Sequence, residues 1–161
     1  MTWATLVPPL QLSVRAGLAA GLTVAIAHVL RLPFPIYAMI SAVIVTDLSS
    51  LRTRQLALPR LAGTVLGAVV GASMGPALRP GAVAVGLSIL AAMLLSHMLR
   101  LQDSARLTGY VAGVVVLTHG DHPWSYALYR VTETALGIAV AVILALVPKL
   151  LPMREPTGQA S

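Results

Sequence analysis

Six apolar stretches, each closed by a turn of proline, glycine or charged residues, leave this chain few folds to adopt. They cover about residues 12–30, 36–49, 56–75, 81–99, 105–118 and 126–147. Between them lie "RLPFPIY", "SSLRTRQLALPR", "GPALRPG", "RLQDSAR" and "THGDHPWSY", all turn chemistry. A helix needs roughly 20 apolar residues to cross about 30 Å of hydrocarbon. Four stretches come close to that length, whereas the second and fifth offer about 21 Å each. The alternation of a membrane β-barrel is missing, so helices must satisfy the backbone. The expected fold is all-α: six transmembrane helices in a single transmembrane domain over residues 1–161, with 149–161 as a cytoplasmic tail.

Composition supports that class and removes others. Hydrophobic residues make up 57% and charged residues only 10% of the chain, with a mean hydropathy of +0.86. A soluble domain needs far more charge to cover its surface. The net charge of +6 forms no basic stripe on a polar scaffold, which argues against nucleic acid as a partner. The chain has no cysteine, so disulfides and thiolate metal sites are excluded. Residues 1–11 lack the basic start of a cleavable leader.

Loop charge sets the orientation. With the N-terminus inside, Arg15, Arg52, Arg54, Arg60, Arg100, Arg106, Lys149 and Arg154 are cytoplasmic, and Arg31 and Arg79 lie outside. Both termini are therefore expected in the cytoplasm. Trp3 and Lys149 fall at the inner interface, and Tyr37, Trp124 and Tyr126 at the outer one, where amphipathic side chains belong.

Shifting the chain by seventy residues lays "ALPRLAGTVLGAVVG" (57–71) on "ALYRVTETALGIAVA" (127–141). Arg60 meets Arg130, Thr64 meets Thr134, and Gly67 meets Gly137. Repeats of about 10–76 and 80–148 would each hold three helices, so the copies must be inverted. Inverted repeats are common in transporters, with the site where the halves meet. This symmetry also accounts for Arg130, whose helix enters from outside. Gly63, Gly67, Gly71 and Gly75 form a small-residue stripe that lets another helix approach closely.

The two segments "AVIVTDLSSLRTRQLALPRLAGTVLGAVVGA" and "ALYRVTETALGIAVAVILALV" resemble the membrane domain of the fusaric acid resistance / aromatic acid exporter family. Plant aluminium-activated malate transporters look like more distant relatives of the fold. The matching elements are Arg60, Gly63, Thr64 and Gly67, then Arg130, Glu133, Thr134 and Gly137. Typical members carry a proline after the second span, where this chain has Asp47-Leu48-Ser49. Many also carry a large soluble domain or a second six-span half. The resemblance implies export or conduction of small organic anions from the bacterial inner membrane, by a homodimer.

Individual residues admit two readings each. Arg60 and Arg130 either snorkel from helix ends or flank an anion route, one at each mouth, where the planar guanidinium would grip a carboxylate. Thr64 and Thr134 accompany them as substrate-binding candidates. Glu133 is either an ion-pair partner for Arg130, three residues before it, or a proton-coupling carboxylate. Asp47 is a second proton-coupling candidate, or else a cap or a partner for Arg52 or Arg54. Tyr110 could stack on an aromatic substrate or bond a neighbouring helix. His28 and His97 lie near span ends. His119, Asp121 and His122 share one loop without standard ligand spacing, so no metal is expected.

No enzyme is indicated, because Ser41, Ser88 and Ser96 lack a base with an orienting partner, and Asp103 and Asp121 lie in separate loops. No phosphate-cradling loop is present, and no cofactor is expected. The function expected is an inner-membrane transporter or channel for small organic anions such as aromatic carboxylates. The alternative is a non-transporting subunit that scaffolds or regulates a larger complex, with further membrane or soluble subunits.

Overall fold

The structure, a computed structural model, describes residues 3–78, 81–118 and 122–147, with residues 3–5 as backbone alone. Six helices carry the fold: α1 (Trp3–Val29), α2 (Pro35–Val45), α3 (Ser50–Met74), α4 (Ala82–Met98), α5 (Ala105–Thr118) and α6 (Pro123–Ala145). Short 3₁₀ turns occupy Gly75–Ala77 and Gln102–Ser104, and no strand occurs among the described residues. The all-α expectation holds. Leu6–Val29, Ser50–Ala77 and Pro123–Ala145 are long and apolar enough to cross a membrane. Pro35–Val45 and Ala82–Met98 are apolar but shorter, and α5 has 14 residues.

Several helix ends differ from the expected spans, for local reasons. α1 begins at Trp3 rather than near residue 12, because the helix continues beyond its apolar run. α3 begins at Ser50 rather than residue 56, since extended Ser49 accepts a bond from the Arg52 N–H and starts two polar turns. α2 stops at Val45 rather than Ser49: Thr46 is extended (φ −67°, ψ 125°) and its hydroxyl donates back to the Ala42 carbonyl. α6 opens with Pro123 at its first position, where a missing N–H loses no helix bond.

Central α3 and α6 lie side by side, with α1 and α2 packed on α6 and with α4 and α5 packed on α3. Glycines set these distances. A Cβ at Gly67 would stand 2.5 Å from the Thr108 carbonyl oxygen of α5, and one at Gly71 2.8 Å from that of Ala112. At Gly137 a Cβ would overlap the Ala38 carbonyl oxygen of α2. Thr108 and Ala38 are seventy residues apart, like Gly67 and Gly137. The same offset relates Ser104 beside Gly63 to Phe34 beside Glu133. Gly75 is different, because its nearest neighbour, Pro123, would sit an ordinary 3.6 Å away. Close backbone approach is how membrane helices gain contact without a hydrophobic drive.

α1 and α4 bury small or polar residues at every fourth position: Ala19, Thr23 and Ala27 on one, Ala84, Ser88 and Ala92 on the other. They also end alike. "HVLRL" (28–32) and "HMLRL" (97–101) each place an arginine in the left-handed region, Arg31 at φ 52° and Arg100 at φ 60°. The following N–H, of Leu32 or Leu101, closes the helix on Ala27 or Ser96 at 2.9 and 2.8 Å. Arg15, buried on α1, donates from Nη1 to the Leu48 carbonyl (3.3 Å) and from Nη2 to that of Val147 (2.9 Å). One cation thus meets carbonyls just past α2 and α6, where the helix dipoles favour it.

Candidate functional site: a buried cationic cluster

Arg130 lies near the first third of α6 and is only 1% exposed. The guanidinium carbon stands 3.3 Å from the centre of the Tyr37 ring and 5.4 Å from that of Tyr110. Nε and Nη1 have no hydrogen-bond partner among the described residues. A cation over an aromatic face is attracted by its quadrupole, more so when desolvated. Around it, the Tyr126 hydroxyl donates to that of Tyr37 at 2.7 Å, and the Phe34 ring meets Tyr126 edge-on at 5.1 Å. Tyr37 and Tyr126 were expected at the outer interface. Instead Tyr126 is buried and both help to enclose the arginine.

Glu133 does not pair with Arg130. Its Oε1 accepts the Phe34 N–H at 2.7 Å, and its Oε2 is buried without a partner. The cause is local: Phe34 precedes Pro35 at the start of α2, where backbone N–H groups lack helix acceptors and the dipole favours an anion. Phe34 therefore meets α6 near mid-length, and α2 begins halfway along its longer neighbour.

Arg60 joins the same cluster from α3. Its Nε and Nη2 both donate to Ser41 Oγ at 3.3 Å, and that hydroxyl donates to the Tyr37 carbonyl at 2.8 Å. Arg130 and Tyr110 lie within electrostatic reach of it. The two arginines thus share one cluster, whereas the sequence suggested either snorkelling from separate helix ends or flanking opposite mouths of an anion route. Thr64 donates to the Arg60 carbonyl of its own helix (2.9 Å), while the Thr134 hydroxyl is buried without a partner. Tyr110 is 48% exposed, so one side of the cluster reaches the surface of the bundle.

Asp47 stands apart, at the far end of α2. Its Oδ1 accepts the Ser49 N–H at 3.0 Å, and its own N–H donates to Thr53 Oγ1 at 3.1 Å. No ion pair joins it to Arg52 or Arg54. Phe34, Tyr37, Ser41 and Tyr126 are site residues that the sequence reading missed. Tyr37 and Ser41, four apart on one helix face, were the available signal. Among the described residues no group of three His, Cys, Asp or Glu could hold a metal ion; His119 and Asp121 lie outside them.

A sequence profile described as fusaric acid resistance protein-like matches residues 22–144. No curated protein and no solved structure matches the chain. The profile spans α2 to α5 whole, nearly all of α6 and the C-terminal end of α1, including every residue of the cluster. The chain belongs to the fusaric acid resistance protein-like family, whose members have membrane transport and resistance roles.

Proposed function

We propose that the protein carries small organic anions, aromatic carboxylates among them, outward across a bacterial inner membrane, and that Arg130 binds the carboxylate. One observation carries this reading: a buried guanidinium inside a membrane helix bundle with two nitrogens unpartnered. Buried guanidinium N–H groups left without an acceptor are costly, and a carboxylate oxygen supplies a charged acceptor for them. Arg60 adds positive charge, and α2 aims its N-terminus at the same region. Tyr37 and Tyr110 offer rings to an aromatic substrate.

An inverted-repeat design supports the placement. The seventy-residue offset relates both the two arginines and the contacts of Gly67 with Thr108 and Gly137 with Ala38. In this reading the short helices α2 and α5 begin near the middle of the bundle, as interrupted helices do around midplane transport sites. Six crossings with both termini inside, and a homodimer that covers half-exposed Tyr110, belong to the same proposal. Glu133 couples transport to protons through its unpartnered Oε2. Asp47, bonded within its turn, serves the α2–α3 connection.

Equilibrium binding tests this directly. Purified protein in detergent should bind benzoate, and Arg130→Gln should weaken binding at least tenfold while leaving the helix content unchanged. Equal affinity in the folded variant would contradict the assignment.

A further inference from the structure

We propose that the outer face of α3 is a binding site for one anionic phospholipid, with Arg100 at the headgroup and a groove along α3 for an acyl chain. The groove has a polar mouth and an apolar floor. Arg100, Gln102, Asp103 and Ser104, from the α4–α5 turn, line the mouth beside Leu58 and Pro59. Leu58, Ala62 and Leu101 then continue into a trough walled by Val65, Leu66 and Val69. Polar atoms collect at one end only, as a molecule with a charged head and a hydrocarbon tail requires.

Length supports the same occupant. Leu58 to Val69 is eleven residues, about 16 Å of helix. That is close to half of the roughly 30 Å hydrocarbon core, the depth of one leaflet. Exposed Arg52 and Arg54, on the first turns of α3, lie beyond the mouth and add positive charge at that end. Such arginines draw anionic headgroups to a membrane surface.

Arg100 carries the second, independent observation. It occupies the left-handed region at φ 60°, a conformation that glycine adopts without penalty and arginine does not. Its side chain is exposed and forms no hydrogen bond or ion pair among the described residues, not even with Asp103 three residues on. Glycine would close α4 without strain, as it would at Arg31; what sets Arg100 apart is its place at the mouth of the groove. A lipid phosphate answers the guanidinium bidentately. The hydroxyls of a phosphatidylglycerol head can donate to the Asp103 carboxylate.

Lipid retention and affinity, read by native mass spectrometry and in nanodiscs, decide the matter. Wild-type protein should retain phosphatidylglycerol in preference to phosphatidylcholine. Arg100→Gly, which suits the backbone, should weaken phosphatidylglycerol binding about fivefold. Arg31→Gly removes the same charge from the same conformation at the end of α1 and should leave binding unchanged. Ala62→Phe, which fills the trough, should weaken retention with Arg100 intact. Equal retention of the two lipids, or equal effects of Arg100→Gly and Arg31→Gly, would overturn the proposal. So would efficient cross-linking of Ala62→Cys between two copies, which would make the groove a protein interface.

Discussion

Arg130 and Glu133, one turn apart on α6, turn away from each other: the guanidinium lies 3.3 Å over the Tyr37 ring, and the carboxylate binds the Phe34 N–H at 2.7 Å. Each has found its counter-charge in α2, one in a ring face and the other in a helix N-terminus. No salt bridge joins the two, although their charges stay within electrostatic reach, and two guanidinium nitrogens have no hydrogen-bond partner among the described residues.

Tyr37 should matter mainly through its ring. Tyr37→Phe keeps the face under Arg130 and loses the Tyr126 hydroxyl bond, at a cost of about 1 kcal/mol. Tyr37→Leu also removes the cation–π contact, about 2 kcal/mol more when desolvated. Thermal unfolding of the two variants in one detergent should rank them in that order.

Glu133→Gln can still accept the Phe34 N–H and should fold with near-native stability. Glu133→Leu leaves that N–H buried and unbonded, a loss of about 1–3 kcal/mol. In vesicles, Glu133→Gln should retain anion flux but lose acceleration by an imposed proton gradient. A variant that responds to the gradient like wild type would remove Glu133 from coupling.

Glycines at the two close crossings should not tolerate a methyl group. Gly67→Ala and Gly137→Ala drive Cβ into the carbonyls of Thr108 and Ala38, and overpacking of this kind typically costs about 1–3 kcal/mol or more. Gly75→Ala, with Pro123 at 3.6 Å, should be neutral. Yield of monodisperse protein and melting temperature would separate the pair from the control.

Arg15→Met should loosen the ends of α2 and α6 together, because it removes the shared donor from Leu48 and Val147. The two lost bonds to a charged donor would cost about 1.5–3 kcal/mol each at most, less where water replaces them. Hydrogen exchange should rise in both segments and stay unchanged in α4 and α5.

Much of this arrangement was legible in the residues. Apolar runs gave the six helices, and the seventy-residue offset paired Arg60 with Arg130 before any contact was known. Close packing at Gly67, Gly71 and Gly137 followed from small residues spaced by four. The cluster itself was hidden, because loop charge places residues by depth and says nothing of rotation. Tyr37 and Tyr126 read as interfacial anchors from the loops beside them, yet their helix faces turn them toward Arg130 and each other. The "HVLRL" and "HMLRL" pair is offset by 69 residues rather than 70, so the seventy-residue register does not align it. Helix starts were missed where a cap, such as Ser49, extends a helix beyond its apolar run.

Anion flux in proteoliposomes tests the central claim most directly. Wild-type protein should carry benzoate down its gradient, and Arg130→Gln should cut the rate at least tenfold, with Arg60→Gln having a smaller effect. Wild-type rates in a folded, correctly inserted Arg130→Gln variant would contradict the account.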